Sequence, residues 1–216
     1  MSFAQAYTAL ILLVALERIA ELVVSQRHLQ WSRARGGVEF GAGHYPFMVV
    51  LHTGLLVGAL AEVWWWPTPI IPVVSWVMLA LVVASQALRW WCIATLGNRW
   101  NTRIVIVPGL PKVTGGPYRW LAHPNYVAVV VEGIALPMVG FAWVTAVVFT
   151  ALNLLLLRVR TRAEDAALAT LPAERAHSPL RAAKETFGGL TRRERDVAAL
   201  IVQGKSNREI AAALFL

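Results

Sequence analysis

Apolar residues fill five stretches of the chain, and polar residues gather between them. The stretches are Phe3–Val24, His44–Trp66, Ile70–Leu96, Tyr126–Pro137 and Phe141–Leu157. A helix needs about 20 mostly apolar residues to cross roughly 30 Å of hydrocarbon. The fourth stretch is short, and only Met138-Val139-Gly140 separates it from the fifth. These two therefore read as a helical hairpin that crosses the bilayer and returns. The pattern predicts an all-α integral membrane protein with about five transmembrane helices, the last two forming the hairpin, followed by a short cytoplasmic helical tail. The membrane domain is expected over residues 1–170. A mixed, polar segment with Pro172 and Pro179 reads as a linker over 171–186, leaving 187–216 as the tail. There, Thr191-x-x-Glu194 and Ser206-x-x-Glu209 read as capping boxes that each open a short helix, with Gly204 stopping the first.

Composition agrees with the pattern. Of 216 residues, 57% are hydrophobic and only 15% charged, against about 45–50% and about 25% in soluble domains. The formal net charge of +8 would suggest nucleic acid in a soluble protein. In a membrane protein it first suggests basic cytoplasmic loops. The loop charges give an orientation. Arg27, Arg33 and Arg35 follow the first stretch; Arg99, Arg103, Lys112 and Arg119 lie between the third and fourth; Arg158, Arg160 and Arg162 follow the fifth. The opposite loops, Trp66–Pro69 and Met138–Gly140, carry no charge. The N-terminus is therefore expected outside and the basic loops in the cytoplasm. Trp64–Trp66, Trp90 and Trp91 suit interfacial anchoring. The first apolar run has no basic residue before it and no small-residue cleavage site after it, so it reads as a retained span. A single cysteine, Cys92, allows no internal disulfide framework.

Several polar residues interrupt the apolar stretches. Arg18 and Glu21, three apart, share a helix face and read as a pair snorkelling at the interface. Glu132 lies well inside the fourth stretch, where a charge costs several kcal/mol. It must be protonated, paired or facing a wet cavity, with Arg89, Gln86, His52 and Asn153 as candidate partners. Glu132 and Arg89 are also candidate substrate contacts.

The stretch GPYRWLAHPNYVAVVVEG, Gly116 to Gly133, carries the main candidate chemistry. Proline disfavours the α region for the residue before it and suits a first helical turn. His123 thus reads as an N-cap and Pro124 as the first helical residue. The N–H groups of Asn125, Tyr126 and Val127 would then face the cytoplasm, and a helix N-terminus attracts anions. A cradle for a carboxylate or phosphate and a capped entry that binds nothing both fit. The second cluster, RVRTRAEDAAL, runs from Arg158 to Leu168, with Arg160 and Glu164 one turn apart and Asp165 beside them. The hairpin should bring His123, Asn125 and Tyr126 close to Arg160, Glu164 and Asp165, making a site for a ligand that carries both a cation and a carboxylate.

GPYRWLAHPNYVA, the helical hairpin and R-x-x-x-E-D-x-x-L resemble the isoprenylcysteine carboxyl methyltransferase family, and Leu88–Tyr118 fits the same pattern. The likeness in layout covers about Phe3–Leu168, and is closest to the bacterial branch associated with lipid and polyketide methylation. The resemblance implies an integral membrane enzyme of the bacterial inner membrane that uses S-adenosylmethionine, with its active site facing the cytoplasm. It implies cofactor contacts from Tyr118, His123, Asn125, Tyr126, Glu164 and Asp165, places Arg160 and Glu164 nearest the transferred methyl as catalytic groups, and needs no metal. Two positions depart from the family pattern: Ala122 stands where Arg usually precedes His-Pro, with Arg119 as a possible substitute, and Asp165 replaces the second Glu of a pair. The implied activity is O-methylation of a lipophilic acceptor entering from the bilayer, on a carboxylate or phenolic hydroxyl of a prenyl, lipid or polyketide-type molecule. A phospholipid N-methyltransferase is an alternative.

The tail, Phe187–Leu216, resembles the first two helices of a LuxR-type helix-turn-helix domain through L-T-x-R-E-x-x-V and G-x-S-N-R-E-I-A. The segment that would read the major groove would begin where the sequence stops. Nucleic acid is therefore not an expected partner, and a membrane-tethered DNA-binding regulator is the second alternative.

Overall fold

A computed structural model describes residues 2–169, 192–203, 205 and 209. The chain divides into two compact units, Met1–Pro172 and Ala173–Leu216. In the first unit α1 spans Phe3–Arg33, α2 Tyr45–Trp65, α3 Pro72–Leu96, α4 Pro124–Val139 and α5 Trp143–Leu168. Segments Ala42–Trp65, Pro72–Arg99 and Trp143–Leu168 are long and apolar enough to cross a membrane. α4 is apolar but has 16 residues. α1 is longer, at 31 residues, but carries Glu17, Arg18 and Glu21 near its middle. The protein is thus an integral membrane protein with three candidate spans.

The described residues are not all helical. Val38–Phe40 forms strand β1 and pairs antiparallel with β2, Ile104–Ile106, with Val38 opposite Ile106. This corrects the all-α expectation. The β2 residues are β-branched, and the Pro108-Gly109 turn follows them, which is a strand signature.

Two helices overrun their apolar stretches. α1 continues nine residues past Val24 because Ser25, Leu29 and Ser32 fall on one buried face. Small polar residues at this spacing let a helix pack against a loop. Ser25 Oγ donates to Asn101 Oδ1 at 2.8 Å and accepts from Thr102 N–H at 3.0 Å. His28 Nδ1 lies 2.9 Å from the Trp100 carbonyl. α5 likewise runs on through the charged cluster to Leu168, with Asn153, Arg160 and Ala167 buried along one face.

The opposite end of the bundle is tied by different means. Glu62 of α2 caps α5, accepting from Val144 N–H at 2.9 Å and Thr145 N–H at 2.8 Å. The Tyr7 hydroxyl donates to the Leu136 carbonyl at 3.1 Å, supplying a partner near a helix end where carbonyls lack intrahelical donors. The α4–α5 turn is tight. Phe141 sits at φ 57°, an unusual conformation for a non-glycine residue. A Cβ at Gly133 would run into the Phe149 ring, so glycine is what lets α4 and α5 approach.

The polar residues of the spans meet in one buried cluster. Arg18 donates to Glu21 at 2.6 Å, to Gln86 at 2.7 Å and to both Glu132 oxygens at 3.0 Å. Arg89 donates to Glu132 at 2.7 Å, and its Nε lies 3.5 Å from Glu21. Glu21 and Glu132 are 3% and 5% exposed. The Arg18–Glu21 pair forms as expected, and it is joined to a larger cluster. It links α1, α3 and α4. Of the three states open to Glu132, pairing is the one observed, with Arg89, Gln86 and Arg18. Asn153 makes no bond to it, and its Oδ1 has no hydrogen-bond partner among the described residues.

In the second unit the first expected tail helix is present as α6, Arg192–Val202. The second capping box and helix lie outside the described residues, apart from Glu209.

Two stability differences follow. Glu132→Ala takes one of two carboxylates away from the buried Arg89 and the half-buried Arg18, leaving them only Glu21 inside the network, and should cost about 3–5 kcal/mol. Glu62→Ala removes only a helix cap and should cost ~1 kcal/mol. Thermal unfolding in detergent should rank wild type above Glu62→Ala, and Glu62→Ala above Glu132→Ala. Ser25→Val should free the 100–103 segment by ~1 kcal/mol, read as several-fold faster tryptic cleavage after Arg99 or Arg103.

Candidate functional site

α4 opens with Pro124 at its first position and His123 as N-cap, at φ −132° and ψ 65°. The His123 side chain makes no cap hydrogen bond. Its ring stacks on Tyr126 at 5.2 Å and an interplanar angle of 11°. Its Nε2 lies 3.0 Å from Asp165 Oδ1, and its Nδ1 3.6 Å from Glu164 Oε2. The sequence anticipated three free N–H groups here. Two are already engaged: Tyr126 and Val127 donate to the His123 carbonyl at 3.1 and 3.4 Å. The helix entry is therefore a weaker anion cradle than the sequence implied, and the side chains hold the chemistry.

Those side chains form a chain of hydrogen bonds. The Tyr126 hydroxyl donates to Glu164 and accepts from Arg160 Nε at 2.8 Å. Arg160 Nη2 donates to the Thr102 carbonyl at 2.7 Å, and Nη1 lies 3.1 Å from Met48 Sδ. Arg160 is only 6% exposed. Tyr126 thus bridges a buried guanidinium and a carboxylate that form no direct ion pair. This bridging follows from spacing: Arg160 and Glu164 are one turn apart on α5, and Tyr126 lies in the first turn of α4.

The cluster lies beside a cleft that is open to solvent and encloses a cavity of about 140 Å³. Tyr118, His123, Asn125, Tyr126, Arg160 and Glu164 all line it. Asp165 does not line it and reaches the site through His123. Glu132 and Arg89 also lie outside the lining and bond to each other. Arg119 is exposed, stands 6.0 Å from the Trp120 ring and does not line the cleft, so it does not take the place of an Arg at position 122.

The opposite wall is the 97–113 segment, which the sequence did not assign to the site. Trp100, Asn101, β2 and Lys112 line the cleft, held by Ser25 and His28 of α1. The β-branched run Ile104–Val107 was the available signal. Met48 and Thr102 carried none, because their roles come from long-range contacts.

The wall is electrostatically mixed. Arg99, Arg103, Lys112 and Arg160 line the cleft together with Glu164. Burial pushes the Tyr118 hydroxyl well above its ordinary pKa, with Cys92 and then Glu164 adding to the effect. It therefore stays a neutral donor. Asn125 Oδ1 and Trp100 Nε1 are buried without hydrogen-bond partners among the described residues. Buried polar groups are normally satisfied. One acceptor and one donor in the residues of the wall thus stand without a partner among the described residues.

Behind the stacked rings lies a second, apolar groove open to the side. Leu121, Ala122, Val127, Val130, Val131 and Leu157 line it, and it shares His123 and Tyr126 with the cleft. Ala122 keeps its mouth uncharged.

Comparison with known proteins agrees with this layout. The model of the isoprenylcysteine carboxyl methyltransferase family matches residues 78–170. That range takes in α4, α5, the cleft segment and every side chain of the hydrogen-bonded cluster except Met48. The model of bacterial regulatory proteins of the luxR family matches residues 189–216. YpbQ of Bacillus subtilis, described as an uncharacterized protein, is 39% identical over 160 residues, covering 74% of this chain and 94% of that one. An uncharacterized protein of Haemophilus influenzae is 26% identical over 155 residues, covering 71% of this chain and 90% of that one. No solved structure matches. With the family motif on the two helices that build the cleft, and a relative matched over nearly its whole length, the chain belongs to the isoprenylcysteine carboxyl methyltransferase family.

Proposed function

We propose that this protein is a membrane O-methyltransferase that uses S-adenosylmethionine to methylate a lipophilic acceptor. The acceptor group is a carboxylate or phenolic hydroxyl on a prenyl, lipid or polyketide-type molecule. The observation that carries this reading is the polar Arg160–Tyr126–Glu164–His123 cluster beside a solvent-open cleft, with an apolar groove sharing His123 and Tyr126. In this reading α1 and α4 cross the membrane together with the three candidate spans. The N-terminus is outside, and the cleft faces the cytoplasm of a bacterial inner membrane. The LuxR-like tail is an appendage beyond a linker and is not needed for catalysis.

The residues present suit the cofactor. Glu164 and Asp165 favour a cationic ligand, Arg99 and Lys112 favour its carboxylate, and the unpartnered Asn125 Oδ1 and Trp100 Nε1 offer an acceptor and a donor. Bound there, S-adenosylmethionine would supply an electrophilic methyl group on a sulfonium. The chain's own part is to position, to exclude water and to handle charge. Arg160 holds the acceptor oxygen by charge-assisted hydrogen bonds. A carboxylate acceptor needs no base. With a phenol, Glu164 or His123 takes the proton. Tyr126 stands between Arg160 and Glu164 and takes the place of a direct ion pair between them. Glu132 and Arg89 belong to the buried network and serve the site by fixing α4.

His123→Ala and Glu164→Ala should each abolish binding of S-adenosylhomocysteine, measured by calorimetry on membrane-inserted protein. Wild-type-like titration by both variants would overturn the site. Tyr126→Phe keeps the ring stack and removes the bridge. It should lower methyl transfer by about tenfold to a hundredfold, the worth of one hydrogen bond to a charged group. Labelled methyl transfer scored separately as base-labile esters, phenol ethers and amines identifies the acceptor class. Label found solely in amines would replace this reading with phospholipid N-methylation.

A further inference from the structure

Arg160 is a buried cation with an incomplete set of partners. A guanidinium carries five N–H donors. Nε donates to the Tyr126 hydroxyl and Nη2 to the Thr102 carbonyl, both neutral oxygens. Nη1 has the Met48 thioether at 3.1 Å, and a thioether is a weak acceptor. Among the described residues no carboxylate forms an ion pair with Arg160. The nearest acid along the hydrogen-bond chain, Glu164, is occupied by Tyr126 and faces His123. Buried charges are ordinarily paired, because an unpaired one is expensive. The buried Arg89 in this same protein obeys that rule, bonded to Glu132. Arg160 is as buried as Arg89, at 6% exposure each, and lacks what Arg89 has.

We infer that the Met48 thioether is a displaceable cap on Arg160 Nη1, occupying the seat of the acceptor's anionic oxygen, so that Met48 is a specificity-determining residue. The inference rests on the proposed methyl transfer and adds to it the side from which the acceptor's charged group arrives, the α2 side. Methionine suits a temporary cap. Its side chain has three rotatable bonds and adapts to irregular gaps, so it can swing away at low cost. Its neighbours Phe47 and Val50 are about 70% exposed, so the space around this turn of α2 is open to lipid. Farther along, α2 and α5 close on each other, where a Cβ at Gly58 would come within 3.2 Å of Thr145. The movable contact is at the Arg160 end. An ammonium acceptor meets an unneutralised guanidinium at this seat and is rejected, whereas a carboxylate completes it.

The test uses the full chain in nanodiscs, with decanoate and decylamine as probes, empty nanodiscs as the reference, and S-adenosylhomocysteine as the control ligand. Met48→Leu removes the sulfur at similar volume and should bind decanoate as tightly as wild type or several-fold tighter. Met48→Gln places a strong neutral acceptor on Nη1 and should weaken decanoate about tenfold, the size of one charge-assisted hydrogen bond. Met48→Glu fills the seat with a fixed carboxylate and should abolish decanoate binding. All three should keep S-adenosylhomocysteine affinity, and decylamine should bind none of them above the reference. The cap is overturned by equal decanoate affinity across the series, by absence of decanoate binding to wild type, by decylamine binding as well as decanoate, or by parallel loss of S-adenosylhomocysteine. If Met48→Glu does not fold, the Met48→Gln and Met48→Leu pair decides. A decanoate response that follows position 48 in a protein with no methyl transfer would sink the proposed function and leave the cap standing.

Discussion

Where α1, α3 and α4 meet, buried Arg89, Glu21 and Glu132 and half-buried Arg18 hold one another in place. Each is expensive to bury alone. Arg18 serves Glu21 and Glu132, and Arg89 reaches the same two acids, so the charges balance within the group. Such a cluster tolerates little slippage, because rotating any of the three helices would strand a charge in an apolar interior. α4 is the shortest of the five helices in the first unit and has little apolar length to fix its depth. Glu132 fixes it. Two turns away on the same helix stands Tyr126, whose position decides whether Arg160 and Glu164 share a partner.

From that anchor the rest of the site is geometry. The tight turn at Gly140–Ala142 and the missing side chain at Gly133 draw α5 against α4. Glu62 caps the start of α5 from another helix. With both helices fixed at that end, their other ends converge, and His123 and Tyr126 face Glu164 and Asp165. The long α1 completes the cleft from outside the hairpin by gripping the 100–103 segment through Ser25 and His28. The opposed demands on the interior are met in different ways. In the network every cation has a carboxylate. At the cleft one cation has a tyrosine hydroxyl, a carbonyl and a sulfur. This contrast separates the buried network from the cluster at the cleft.

Much of this was legible in the residues. Hydrophobic runs marked the helices, because only a helix satisfies its own backbone within a run of apolar side chains. His123-Pro124 marked the start of α4, because proline restricts the residue before it and favours a first turn. Spacing placed Arg160 and Glu164 on one face, and the short link placed them beside His123. Less was legible where polar residues pack on other parts of the chain. Ser25 and Ser32 carry no apolar signal, so the α1 extension was hidden. Ile104–Val107 reads as apolar whether it is strand or loop, and its partner Val38–Phe40 is 64 positions away or more. The Arg18–Glu21 pair was recognised, yet spacing along one helix says nothing about what a second helix brings to it.

The sequence by itself determined the helices, the hairpin, the membrane character and the residue types of the site, because those depend on short-range periodicity, turn chemistry and solubility in lipid. Only the tertiary structure decided which charges neutralise one another, which helix-terminal N–H groups were still free, and which guanidinium was left with a sulfur for a partner. Those outcomes depend on distances between residues remote in the chain, and a charge or hydrogen bond is settled by its nearest neighbours in space.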